Sequence, residues 1–371
     1  MKQRIFKKPL ALISFIAILA FSITVNAQLN TPRVSQQATV SQTVGISTIA
    51  ITYSRPSVKG REIWGKLVPY GMNNLGFGTA KESPWRAGAN ENTIITFSDD
   101  VTIEGQPLKA GTYGLHMVIK ENDEADVIFS KNATAWGSFF YNPEEDALKV
   151  TVKTRQIPHK ELLTYEFINV LPTSTTAALQ WEKKEIPFKI DVAVTDIVLA
   201  DIRKKLQGQV GFNRLNWEQA ANFALNNGGD LKEAMQWIDA ARNGQFFSQK
   251  TFANAQIKAA ILNKMNKHEE GLQLMDESLN LGNIFQVHGY GRQLISLGLK
   301  DKALEVFKWN AAHHKNTWPV NYGLARGYSA LGNYKAAIKY MKKAMALAPA
   351  KANKDRVQAN LNKLIKGEDI N

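Results

Sequence analysis

Residues 185–206 read EIPFKIDVAVTDIVLADIRKKL, and within this stretch the hydrophobic rhythm changes. Up to Val194 apolar and polar residues alternate, the period of a strand with one face turned inward. From Asp196 the period lengthens, and Leu199, Ile202 and Leu206 fall on one side of an amphipathic helix. We read here the junction between an all-β N-terminal domain, residues 34–194, and an all-α C-terminal domain, residues 195–371, with the helix from Asp196 to Leu206 joining them. A chain of 371 residues exceeds the usual size of one hydrophobic core, so two domains are the expectation from length as well.

Working back toward the N-terminus, strands are expected near 38–53, 92–97, 101–104, 111–119, 125–130, 147–154, 161–170, 177–182 and 185–194. Leu148-Lys149-Val150-Thr151-Val152-Lys153 alternates most cleanly. Ser98-Asp99-Asp100 and Glu121-Asn122-Asp123-Glu124 are polar connections, while Glu104-Gly105-Gln106-Pro107 punctuates the route to the next strand. Many short antiparallel strands joined in this way imply a β-sandwich, with a small barrel as the alternative.

The stretch least explained by packing runs from Tyr53 to Thr93, where Arg55, Arg61, Trp64, Trp85, Arg86, Asn90 and Glu91 stand among glycines and prolines. Large polar and aromatic groups on a frequently bending backbone mark these seven as candidate binding residues. Arg86 and Glu91 flank Gly88-Ala89-Asn90, so they either form an ion pair that fixes the loop or leave Arg86 and Asn90 to meet a ligand. Arg55, Lys59 and Arg61 surround Pro56 and Gly60, a turn that forms an anion nest or is paired internally. Trp64, Trp85, Trp136 and Tyr141 are core residues or a sugar-binding shelf. His116, alone on a strand and unrelated in spacing to His159, reads as structural; His313 and His314 are adjacent on a helix and point about 100° apart. No metal site and no cofactor are implied, and neither a Gly-x-Ser-x-Gly elbow nor a His-Glu-x-x-His helix occurs.

Tyr53-Ser54-Arg55-Pro56, Lys59-Gly60-Arg61, Ile63-Trp64-Gly65, Val68-Pro69-Tyr70-Gly71, Trp85-Arg86-Ala87-Gly88-Ala89-Asn90-Glu91 and Leu108-Lys109-Ala110-Gly111-Thr112-Tyr113 follow one another in order. With Val127-Ile128-Phe129-Ser130 and Trp136-Gly137 they resemble the exported bacterial family catalogued as DUF2911, over roughly Gln36 to Ile190. That family is defined without an established activity, so the resemblance implies no catalytic residues.

Beyond the junction the chain repeats. Ala234, Gly271, Ala303 and Ala337 occupy corresponding positions at steps of 37, 32 and 34 residues. Two helices per unit at about 34 residues is the tetratricopeptide spacing. The last unit resembles that family best, with Trp318, Leu324, Ala325, Tyr328, Ala337, Ala344 and Pro349 in place; Asn222 stands where an earlier unit should carry a small residue. A helix from Lys354 to Lys366 reads as a polar-backed cap. By resemblance the concave face would carry Gln219, Phe223, Gln256, Lys264, His288, Arg292, Tyr322 and Arg326, whose cations suit an acidic peptide or a C-terminal carboxylate.

Lys2, Arg4, Lys7 and Lys8 precede an apolar run from Leu10 to Val25 that closes on Val25-Asn26-Ala27, a secretory signal pattern with Gln28 as the first mature residue. The run is shorter than the ~20 apolar residues of a membrane span. There is no cysteine, which excludes lipidation at an N-terminal Cys, disulfides and thiolate chemistry together. The formal net charge is +13, and in an exported protein such charge serves solubility, or else suits anionic lipid, cell-wall polymer or acidic protein rather than nucleic acid. The expectation is a periplasmic or secreted, non-enzymatic binding or assembly protein of the bacterial envelope that takes a protein or peptide partner in its helical groove. The competing classes are an enzyme acting on glycan or lipid through a pocket in the 55–91 loops, and a carbohydrate-binding module.

Overall fold

The computed structural model describes residues 31–244 and 246–371 and divides into two compact units, the first ending at Val192 and the second beginning at Ala193. The expected signal segment, residues 1–27, lies outside the described residues. No described helix is long and apolar enough to cross a membrane.

The first unit is two antiparallel sheets. One holds β1 (Gln36–Val44), β2 (Ser47–Arg55), β3 (Ile94–Phe97), β6 (Gly111–Ile119), β7 (Glu124–Ser130) and β8 (Asp146–Lys153), in the order β1-β2-β3-β6-β7-β8. The other runs β5 (Gln106–Leu108), β4 (Val101–Ile103), β10 (Ser174–Val192), β9 (Arg155–Leu171). The inner faces meet through edge-on rings, Phe129 with Phe188 at 5.8 Å and Tyr53 with Tyr165 at 4.8 Å, geometries that favour the quadrupoles of both rings. Neither sheet closes on itself, so the sandwich rather than the barrel is the architecture. Past Arg55 the chain leaves the first sheet and pairs with β9 at one corner, Val58 N–H donating to the Glu161 carbonyl at 2.8 Å and Leu163 N–H to Pro56 at 3.0 Å.

Three strand expectations differ from the structure, each for a local reason. The single strand near 38–53 is a hairpin, because Gly45 takes a φ of +62° and turns the chain so that Val44 pairs with Ser47. Glu104 and Gly105 are both left-handed (φ +48° and +79°), and this two-residue turn adds β5 as an edge strand, where Pro107 needs no N–H partner. The strands near 177–182 and 185–194 are one long strand with register shifts about Glu182, whose φ is +53°. The alternation in β8 holds: Val150 and Val152 are buried, and Lys149, Thr151 and Lys153 are exposed.

The second unit contains ten α-helices among the described residues: α1 (Val194–Leu206), α2 (Arg214–Asn226), α3 (Leu231–Asn243), α4 (Phe252–Lys264), α5 (His268–Ser278), α6 (Ile284–Ser296), α7 (Lys300–His313), α8 (Trp318–Ala330), α9 (Tyr334–Leu347) and α10 (Lys351–Ile365). They form a solenoid of tetratricopeptide-like pairs, α2/α3, α4/α5, α6/α7 and α8/α9. The small residues read from sequence are each the fourth residue of the second helix in a pair, and Ala234, Gly271, Ala303 and Ala337 are all buried. A methyl group at Gly271 would come within 3.2 Å of the Ala259 carbonyl on α4, so the close approach of the pair fixes the residue size. Tyr328 fills the gap in the last pair by stacking on Tyr340 at 5.5 Å.

Helix α1 belongs to this stack rather than to a free junction. Leu199 and Leu206 enter the core made by α2 and α3, and Arg203 makes a bidentate pair with Glu233, two contacts of 2.7 Å. Asn222 is exposed and the small-residue role passes to Ala221 and Ala224, which are fully buried. Between α6, α7 and α8 the ring of Phe307 lies where methyl groups at Gly291, Gly323 and Gly327 would sit, at 2.6–2.9 Å. Glycine is required there by volume, and it lets three helices close on one ring.

Candidate functional site

The 53–93 segment is a loop held from beneath. The Ala87 carbonyl accepts from the hydroxyls of Thr93 (3.1 Å) and Tyr165 (3.0 Å), while Ala87 and Asn90 take left-handed φ values of +51° and +62°. This double bend decides the fate of Arg86. Its Nη1 donates to the Asn90 carbonyl at 2.6 Å and its guanidinium lies over the Phe139 ring at 5.1 Å, whereas Glu91 pairs with Arg33. The expected Arg86–Glu91 ion pair is therefore absent among the described residues: the bend presents Arg86 with a backbone carbonyl and sends the carboxylate toward another arginine. Half-buried without a carboxylate of its own, the Arg86 guanidinium is pushed below its usual range by desolvation.

The basic turn is braced by internal hydrogen bonds. Arg55 donates to the Leu163 carbonyl (3.0 Å) and the Thr164 hydroxyl (2.7 Å), and Arg61 to the carbonyls of Val58 (3.0 Å) and Ser57. The Lys59 N–H, which would have contributed to an anion nest, is taken by the Glu161 carboxylate at 2.9 Å. That hydrogen bond is the main reason the Glu161 carboxyl lies below its usual range.

The four aromatics read as core residues or as one shelf separate into three places. Trp64 and Trp85 pack with Trp181 at 5.9–6.0 Å, Trp136 is exposed with Arg33 over its face, and Tyr141 lies beside His116 and donates to Asp146 at 2.7 Å. Trp181, unnoticed in sequence because it continues a strand, is the buried member of the indole trio. His116 is buried against the Ser138 hydroxyl (2.9 Å), with its pKa lowered to about 4 by burial and then by the Arg86 charge. A cleft of about 730 Å³ opens over these elements, with Lys59, Arg61, Trp85, Arg86, Asn90 and Trp181 in its wall. Neither aspartate nor glutamate lines it.

In the helical unit the expected groove residues gather in part. Gln219 and Gln256 share one hollow, Gln256 and Lys264 a second of about 650 Å³, and Arg292 and Arg326 a third. Phe223 packs instead into the core of the first pair. Tyr322 is buried rather than open: it stacks on His288 (6.2 Å, 16°) beneath the Arg326 guanidinium, which lies 5.1 Å from its ring. His288 is lowered to about 4 by burial, then by Arg326 and Arg292.

The residue ahead of this stack is the chain's own. After α10 the left-handed Gly367 (φ +77°) turns the backbone and residues 369–371 lie on α8. Ser329 donates to Asp369 at 2.7 Å and receives the Ile370 N–H at 3.2 Å; Arg326 Nη1 donates to Asn371 Oδ1 at 3.1 Å, and Asn371 Nδ2 donates to the Arg326 carbonyl at 3.1 Å. Ile370 is buried with Val357, Leu361 and Leu364. Sequence reading missed this contact, although an isoleucine two residues beyond a helix-ending Gly-Glu was the available signal.

Among curated proteins none matches this chain. Solved structures similar to the helical region include the C-terminal part of a TPR repeat-containing protein from Cytophaga hutchinsonii, 14% identical over 46% of this chain and 70% of its own, with a TM-score of 0.34. YrrB, described as a TPR protein with an unusual peptide-binding site, is 16% identical over 44% and 84%, with a TM-score of 0.30. MamA is 15% identical over 45% and 92%, with a TM-score of 0.31. Residues 35–190, the sandwich unit, match the family described as a protein of unknown function, DUF2911.

Proposed function

We propose that this is an exported binding or assembly protein of the bacterial envelope, in which the helical repeat receives a peptide segment of a protein partner. The observation that carries this reading is the seat of residues 369–371 on α8. There a short peptide exchanges hydrogen bonds with Arg326 and Ser329 through side chains and main chain alike, and it buries one apolar side chain. Main-chain contacts supply affinity and a single side-chain pocket supplies selectivity, the usual division of labour in peptide recognition. Exposed Arg292 shares the neighbouring hollow with Arg326 and offers a second cation to an acidic segment. What the face provides is recognition chemistry, so a binding role is preferred to turnover. Export rests on the basic and apolar N-terminal pattern of residues 2–27.

The test is capture from a bacterial envelope extract with the wild-type chain and with Arg292→Ala/Arg326→Ala. Loss of the captured protein with unchanged helix content supports the groove; equal capture removes it.

A further inference from the structure

We infer that the cleft of the sandwich unit is a binding site for a small organic acid of sugar size, its anionic group met by Arg86 with Lys59 and Arg61, and its ring laid against Trp85. Three cations line one hollow that has no acidic residue in its wall, so the wall itself carries net positive charge. Arg86 is the centre of that imbalance. It has five N–H donors, and its hydrogen bond to the Asn90 carbonyl uses one of them. A half-buried guanidinium normally pairs with an anion, since desolvation without a counter-charge is costly. Here Glu91 is diverted to Arg33, and Glu161 is occupied by the Lys59 N–H. Both carboxylates are thus engaged, neither of them on Arg86.

The arrangement that leaves Arg86 available is built in. Gly137, at φ +66°, passes so close that a methyl group there would fall 2.4 Å from the Arg86 Cζ, so the guanidinium lies directly against bare backbone. Trp85 is stacked on Trp181 (6.0 Å, 16°), which fixes the indole as a rigid wall, and the buried Trp181 indole N–H finds no acceptor among the described residues. Asn73, Asn74 and Asn90 also line the hollow, and side-chain amides suit hydroxyl groups. About 730 Å³ is far more than an inorganic anion fills and falls in the range of small-molecule sites. Cations, a flat indole and amides together fit a carboxylate on a polyhydroxylated ring.

Calorimetry and tryptophan fluorescence with the purified protein test this, using galacturonate, its neutral counterpart galactose, and inorganic phosphate as probes. The expected result is saturable binding of galacturonate with a change in tryptophan emission, and at least tenfold weaker binding of galactose and of phosphate. Arg86→Gln should weaken galacturonate binding about tenfold or more. Lys59→Gln, at an exposed side chain that the fold does not use, should weaken it about threefold without altering the melting temperature. Galactose binding as tightly as galacturonate would overturn the anion assignment, and phosphate binding as tightly would overturn the ring. Absence of binding by all three probes, or wild-type affinity in both variants, would overturn the site.

Discussion

The hydroxyl of Ser329 stands between two groups of the same short segment, donating to the Asp369 carboxylate at 2.7 Å and accepting the Ile370 N–H at 3.2 Å. One side chain on α8 thereby holds both Asp369 and Ile370 in place. Ser329→Ala removes both bonds at once and leaves a buried N–H unpaired, a loss of about 1–2 kcal/mol. Amide exchange at Ile370 is expected to quicken at least tenfold, while exchange within α9 stays unchanged.

The same contact has a pH dependence. Burial works to raise the Asp369 carboxyl, but hydrogen bonds from Ser329, Asn371 and the backbone outweigh it, and the net shift is downward. A depressed carboxylate stabilises the docked segment above its free value of about 3.9, and that contribution is lost as pH falls through the lowered one. Docking followed by exchange or fluorescence should therefore be constant through neutral pH and fail only below about pH 4.

His116 acts over a different window. Its folded pKa is about 4 against an ordinary 6.5, so the unfolded chain binds the proton more readily. Stability of the sandwich is complete above about pH 6.5 and falls as pH drops toward 4, by up to about 3 kcal/mol. Denaturation of His116→Gln, which retains a hydrogen-bonding partner for Ser138, is expected to lack this slope between pH 4 and 6.5.

Phe307 tests the packing of the solenoid. It is fully buried against Gly291, Gly323 and Gly327. Phe307→Ala should destabilise the helical unit by about 3–5 kcal/mol through cavity formation. Gly327→Ala, which drives a methyl group to 2.9 Å from the ring, should cost about 1–3 kcal/mol through overpacking. Urea unfolding monitored by circular dichroism would measure both.

In the sandwich, Gly137→Ala forces the Arg86 guanidinium to move and places a β-carbon at φ +66°. A loss of about 1–3 kcal/mol is expected, read as a lower melting temperature.

The rhythm of residues 185–206 carried the architecture, because burial of one face imposes a period of two on strands and a longer one on helices. The repeat was legible for the same reason: the fourth residue of each second helix faces its partner at a distance that only Ala or Gly permits. What sequence did not reveal were choices made by single backbone angles. Asn90 and Ala87 at positive φ separate Arg86 from Glu91, and the same sign of φ at Gly45 turns an apparent strand into a hairpin. Partners distant in sequence were equally hidden, as with Glu161 on Lys59, Arg33 on Glu91 and Asp369 on Ser329. Tyr322 looked like a groove residue by position, but stacking beneath Arg326 buries it.

The most direct test of the peptide-binding account is fluorescence polarisation of a labelled peptide spanning residues 367–371, titrated with a chain truncated after Lys366. The account expects saturable binding that falls at least tenfold with Ser329→Ala or Arg326→Ala in the truncated chain. Absence of binding, or equal binding by both variants with helix content intact, would contradict it.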